Sequence, residues 1–284
     1  MAEFYNQAAV SYSGGTVLSN ITVGRVQDTM TLAKTALRGT YAPGECVTYA
    51  VSLANTGETA VTGLTLTDDL GAYSFNGMTL VPLTPTPGAL LVYVDGALQS
   101  QVAVTYADQL VITGLDLPAG GDLLVIYEAV VNRFAPLGNG GTITNTVTVA
   151  GGGIITLSAT ETITARQTAE LRVTKTLTPT TVEPGEAVTY TFLVENLGAT
   201  PVTTADAASL TDTFTPALTA LTVSYNGGAL VLNTDYSYAP ATGEFATVPG
   251  RVTVPAAAYT QDAATGAWTA EPGEAVLTVT GTIL

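Results

Sequence analysis

The chain of 284 residues contains only two lysines, Lys34 and Lys175, and they stand at equivalent places in two copies of an internal repeat. A lysine amine is a nucleophile only when neutral, and burial away from water pushes its pKa toward that state. Two lysines at one register therefore offer amine chemistry in duplicate. The plainer reading makes them edge-strand gatekeepers or ion-pair partners at a sheet rim. Other chemistries lack their residues. The chain has no His, which removes His-based triads and His-ligated metals. Its one cysteine, Cys46, supports neither an intrachain disulfide framework nor a Cys zinc cluster. No nucleophile and base converge in sequence, so an enzyme is not expected, and no cofactor or metal site is expected either.

Composition narrows the partners. Eight basic against 23 acidic residues give a net charge of −15, so a nucleic-acid footprint is absent. Only 11% of residues are charged while 46% are hydrophobic, the balance of a chain that buries much of its surface against neighbours. The charge suits solubility and spacing between laterally associated filaments. No run approaches the length of a membrane helix. The opening MAEFYNQAAVSYSGG has no basic region followed by an apolar one, so no secretion signal is recognised and membrane insertion is not expected.

The elements that must position the lysines are strands. Short Val/Thr/Leu/Tyr runs such as 46-CVTYAVSLANTG-57 and 122-DLLVIYEAVV-131 alternate with Gly, Pro, Asn and Asp. No stretch keeps a 3.6-residue period, and many short strands with regular turns indicate β-sandwiches. The segment 31-TLAKTALRGTYAPGECVTYAVSLANTG-57 aligns without a gap to 172-RVTKTLTPTTVEPGEAVTYTFLVENLG-198. Asn55 matches Asn196, and Thr67-Asp68 matches Thr211-Asp212 after a short insertion. Later, 118-PAGGDLLVIYEA-129 matches 272-PGEAVLTVTGTI-283. The expected organisation is an N-terminal segment 1–27, a complete sandwich 28–167 and an incomplete sandwich 168–284.

The copies end differently. The first runs on through 136–167, and the second has no equivalent of that stretch. A match to it lies at the other end of the chain: 4-FYNQAAVSYSGGTVLSNITVGRVQ-27 reads like 143-ITNTVTVAGGGIITLSATETITARQ-167. Asn6 falls on Asn145, Val10 on Val149, Gly14-Gly15 on Gly152-Gly153 and Leu18-Ser19 on Leu157-Ser158. A sandwich short of its last strands exposes unpaired backbone and apolar side chains, both costly. The spare segment could fold back on its own second module, hang free as an arm, or enter the second module of another copy. The last is head-to-tail strand addition, which gives an open homopolymer. It is favoured because the complete module stands between the segment and the vacancy. As a donor strand the segment would turn alternate residues inward. The more apolar set is Asn6, Ala8, Val10 and Tyr12, which also brings Asn6 toward Lys175.

The series K-T, P-G-x-x-V-T-Y, N-x-G, T-D and N-T-x-T-V resembles the bacterial surface repeat family called domain of unknown function eleven, across both copies. The resemblance implies Ig-like sandwich modules of surface proteins. The layout of a short NQAxxSY opening, no export signal and two modules also resembles spore-appendage subunits of anaerobic spore-forming bacteria. In related sandwich adhesins and pilins such a lysine can form an isopeptide bond with an Asn on the last strand. That bond needs a desolvated lysine, a carboxamide that loses ammonia, and a buried protonated acid to polarise the carbonyl. The candidates are Lys34, Asn145 and Asp68 (or Glu45 or Glu128) in the first module. In the second they are Lys175 and Asp212 (or Glu186), with Asn6 arriving from another chain.

The remaining residues carry little. Asp68-Asp69 and Asp206 lack calcium-loop spacing and read as solvated turn carboxylates. Cys46 reads as a small apolar residue packed in its strand. The whole reading is an all-β chain of two tandem Ig-like sandwiches, the second lacking its last strands, preceded by a donor strand. Its expected role is a structural subunit of an extracellular or spore-surface fibre. The alternative is a monomeric surface adhesin or carbohydrate-binding module.

Overall fold

The computed structural model describes residues 2–26 and 29–283. Four short strands come first: β1 (Ala2–Asn6), β2 (Ala9–Tyr12), β3 (Gly15–Leu18) and β4 (Thr22–Val26). β1 pairs β4 and β2 pairs β3, all antiparallel, so the segment is one long hairpin. Between Asn6↔Thr22 and Ala9↔Leu18 one arm carries residues 7–8 and the other 19–21, a bulge that bends it. Phe4, Tyr5, Val10, Tyr12, Val17, Leu18, Ile21 and Val23 are all exposed. The single donor strand expected from sequence is thus corrected to a two-stranded unit. The Ser13-Gly14 turn brings the chain back, and Val17 and Val23 supply a second apolar arm.

The first sandwich contains β5 (Met30–Ala36), β6 (Thr40–Tyr41), β7 (Cys46–Asn55), β8 (Val61–Asp68), β9 (Tyr73–Phe75), β10 (Met78–Leu80), β11 (Leu83–Pro85), β12 (Leu91–Val94), β13 (Ala97–Leu98), β14 (Ala103–Tyr106), β15 (Leu110–Leu117), β16 (Asp122–Val131), β17 (Thr142–Gly151) and β18 (Leu157–Ala165). One sheet runs β13-β12-β16-β7-β5, with β11 also on β16; the other runs β14-β15-β8-β17-β18-β6. Strand alternation sends one face of each into a shared core. Val47, Tyr49, Val51 and Leu53 point inward from β7, and Ile143, Val147 and Val149 from β17. β18 packs against β5 and covers the edge of the core.

The second sandwich contains β19 (Leu171–Thr178), β20 (Ala187–Asn196), a 3-10 turn at Thr204–Asp206, β21 (Thr211–Thr213), β22 (Leu218–Tyr225), β23 (Gly228–Ala229), β24 (Tyr236–Ala239), β25 (Glu244–Thr247), β26 (Ala258–Gln261), β27 (Trp268–Glu271) and β28 (Gly273–Ile283). Its larger sheet, β19-β20-β28-β22-β23, repeats the order β5-β7-β16 at one side. The facing sheet has three strands, β21-β25-β24. β8 in the first sandwich is held by β15 on one side and β17 on the other. Its counterpart β21 is held by β25 alone among the described residues. Among the described residues no strand takes the places of β17 and β18, and β19 is exposed along nearly its whole length.

The strand registers correct one sequence match. Asp122 pairs Ala54, while Glu274 pairs Glu195, the repeat counterpart of Ala54. The alignment of 118–129 with 272–283 is therefore two residues out, and the place of Tyr127 is taken by Val279. The β26-β27 hairpin, which has no counterpart in the first sandwich, braces the junction. The Trp268 backbone N–H donates to Arg133 O at 2.8 Å, Gln261 Nε2 donates to Tyr73 Oη at 3.0 Å, and Tyr259 lies on Gly138, where a Cβ would sit 2.9 Å from the ring.

Each sandwich is also pinned by a buried Asn at the end of its second long strand. Asn55 Nδ2 donates to Thr59 O and Pro118 O, and its Oδ1 accepts from Gly57 N–H. Asn196 repeats this with Thr200 O, Pro255 O and Gly198 N–H, and also accepts from Glu170 N–H. Asn196→Ala strands several buried backbone groups and should cost about 3 kcal/mol. Urea unfolding checks this: a lowered midpoint is expected, and an unmoved one would show that the bracket does not close these loops.

Candidate functional site

On β5 the inward residues are Met30, Leu32, Lys34 and Ala36; on β8, Leu64, Leu66 and Asp68; on β17, Ile143, Asn145, Val147 and Val149. One residue in each apolar series is polar, and the three meet between the sheets. Lys34 Nζ lies 2.5 Å from Asp68 Oδ2, and both side chains are 0% exposed. Tyr127 Oη, from β16, donates to the same Oδ2 at 2.7 Å, and Asp68 Oδ1 accepts from Leu70 N–H at 3.0 Å. Asn145 Nδ2 donates to Tyr127 Oη at 2.9 Å. Asn145 Oδ1 is buried and accepts no hydrogen bond. Tyr49 stacks on Tyr127 with centroids 5.4 Å apart, and Lys34 Nζ stands 5.1 Å and 5.9 Å from the two rings.

Burial is the largest influence on the amine and pushes the Lys34 pKa below its ordinary 10.5; the Asp68 charge opposes it. Burial also pushes the pKa of the Tyr127 and Tyr49 hydroxyls upward. Lys34, Asp68 and Asn145, set apart by sequence reasoning, are thus one cluster. The rim reading of Lys34 and the solvated-turn reading of Asp68 are both corrected, because the two side chains are fully enclosed. The alternative acids lie elsewhere. Glu45 is engaged by Arg166, Arg38 and Ala42 N–H, and Glu128 stands beside Cys46 Sγ at 3.6 Å. Cys46 is exposed rather than packed, because β7 alternation turns it away from the core. Tyr127 and Tyr49 were missed. The inward phase of 122-DLLVIYEAVV-131 was the available signal for Tyr127.

The second sandwich carries the same pair in a different setting. Lys175 Nζ lies 2.5 Å from Asp212 Oδ2, with the side chains 40% and 19% exposed. The amine faces the rings of Tyr190, Phe192 and Phe214 at 4.7, 5.4 and 5.3 Å, within cation–π range. Among the described residues no strand pairs the free side of β21, so the Asn145 position has no counterpart there. Glu186 accepts from Glu183 N–H in a turn and takes no part. Asn6 is exposed at the end of β1, paired with Thr22; the single chain does not bring it to Lys175. Ala8 lies at the hairpin bulge, where its N–H bonds Ser19 Oγ, and Val10 and Tyr12 lie on β2. Asp69 and Asp206 cap turns, accepting from Gly71 and Thr203 N–H respectively.

No family model matches the chain, and no curated protein matches it. Among solved structures it is similar to the C-terminal domain of the Streptococcus agalactiae AgI/II polypeptide BspA, at TM-score 0.40 and 14% identity over 89% of this chain and 92% of that one. It is similar to BcpA, the major pilin subunit of Bacillus cereus, at TM-score 0.36 and 12% identity over 95% and 73%. It is similar to the pilus backbone RrgB of Streptococcus pneumoniae at TM-score 0.35 and 13% identity over 86% and 55%. Likenesses this loose carry no argument about function. The fold class rests on the sheets themselves: all-β, two tandem sandwiches, the second short of strands.

The two lysines should respond differently to removal. Lys34→Met leaves an enclosed carboxylate without its partner, which should cost about 3–5 kcal/mol. Lys175→Met removes a partly solvated pair and should cost about 1 kcal/mol or less. Denaturant midpoints of the two variants check this, and equal shifts would contradict the difference in burial.

Proposed function

We propose that the chain is a structural subunit that polymerises head to tail, the N-terminal hairpin of one copy filling the vacancy beside β21 of another. The observation that carries this is the agreement between what is missing and what is spare. The vacancy is two antiparallel strands wide, and residues 2–26 form two antiparallel strands with exposed apolar side chains. The connections agree too. β18 closes the first sandwich and leads through residues 166–170 into β19, which opens the second. β4 leads through residues 27–29 into β5 in the same way. A fibre built so is one continuous string of sandwiches, each closed by the hairpin that precedes the next.

The repeat register supports one docking alignment. Val147 pairs Asp68 in the first sandwich, so Ala8 falls beside Asp212 and Val10 beside Leu210. Main-chain hydrogen bonds to the open edge supply affinity, and the inward side chains supply register. Such a contact is heterologous and does not close on itself. The low charge and Thr-rich strands suit an extracellular or spore-surface fibre with lateral contacts between filaments. Within the first sandwich the enclosed Lys34, Asp68 and Asn145 support an amide bond from Lys34 Nζ to Asn145 Cγ with loss of ammonia. The unpartnered Asn145 Oδ1 is the oxygen that a protonated Asp68 would polarise.

Negative-stain microscopy tests the assembly. The full chain should give fibres, and a chain lacking residues 1–25 should stay monomeric while keeping its β circular dichroism. Fibres from both would overturn the donor role of the hairpin.

A further inference from the structure

The two lysine sites have the same amine and acid but differ in cover. In the first, β18 lies on β5 and the pair is sealed. In the second, nothing described lies on β19, and the Lys175 ammonium remains partly hydrated, ion-paired and facing three rings. The surroundings differ as well. Tyr127, which holds the Asn145 amide, is replaced by Val279, and the nearest ring to Lys175 is that of Tyr190, the repeat counterpart of Tyr49. The opposite partner of Asn145 is Glu161, whose charge favours the ammonium form of Lys34. The opposite partner of Asn6 is Thr22, which is neutral.

We propose that Lys175 is an assembly-gated site: it stays inert in the free subunit and couples to Asn6 of a second copy only after that copy's hairpin has covered it. This rests on the hairpin-insertion reading above. Insertion removes water from the pair, and the ammonium proton passes to Asp212. The neutral amine attacks Asn6 Cγ, forming a C–N bond while Asp212 polarises the carbonyl oxygen. The bond from Cγ to the amide nitrogen breaks, and that nitrogen takes the amine's proton, relayed by Asp212, and leaves as ammonia. No oxidant or further reactant enters. Pairing of the hairpin along β21 positions Asn6. The fibre would therefore be sealed joint by joint as it grows, with no bond made by loose subunits.

The test uses full-length chains, intact mass and boiling in detergent. Wild type should show no mass deficit from Lys175 before assembly. Thereafter one ammonia should be lost per joint in step with fibre growth, with a detergent-resistant ladder and a Lys175–Asn6 crosslinked peptide after digestion. Asn6→Ala and Lys175→Arg should both form fibres that dissolve to monomers on boiling. Wild-type fibres that dissolve completely, or an Asn6→Ala ladder, would overturn the bond. Variants that form no fibres while wild type does would overturn the order of events, because coupling would then precede stable insertion. Absence of wild-type fibres would instead overturn the insertion reading itself.

Discussion

An open sheet edge governs this molecule. β21 is three residues long and has a neighbour on one side only among the described residues, leaving N–H and C=O groups and the face of β19 without cover. Natural sheets protect such edges, since each unpaired backbone group near a core costs free energy and each exposed edge invites pairing. Here the same polypeptide supplies the protection in surplus form, as a bent hairpin with apolar side chains on both arms. The second core compensates in part with aromatic packing: Phe214 stacks near Tyr190 at 4.9 Å and Phe245 at 6.0 Å.

The lysine pairs follow from the same asymmetry. A buried ion pair contributes little net stability, because desolvation offsets the attraction. Its place in an otherwise apolar core therefore calls for another account, and amine reactivity provides one. The first sandwich encloses its pair fully; the second, with an open edge beside β21, leaves its pair partly exposed. One motif thus sits in two dielectric settings, and strand inventory alone sets the difference.

Strand alternation made much of this legible in the sequence. The gapless repeat located Lys34, Lys175 and Asn55, and the lack of a match to 136–167 in the second copy pointed to its open edge. The Asn6 and Asn145 match identified the spare unit, but not its form, since a bulged pair of short arms reads locally like one interrupted strand. Tyr127 escaped because its pairing with Tyr49 is set by sheet register, and the best local alignment of its strand was two residues out. The burial of Asp68 escaped because a Thr-Asp-Asp run reads as a solvated turn, whereas Asp68 accepts from Leu70 N–H with its side chain fully enclosed. Cys46 was misplaced by a single step of alternation. The β26-β27 brace has no repeat counterpart and so no signal from comparison within the chain.

The central claim concerns where residues 2–26 lie in the assembled state, and a fibre map at side-chain resolution measures that directly. The account predicts a two-stranded hairpin of one subunit hydrogen-bonded along β21 of its neighbour, with Phe4 and Val10 turned into the second core. Density showing the hairpin closing the sandwich of its own chain, or lying outside a second sandwich already sealed by other residues, would contradict it.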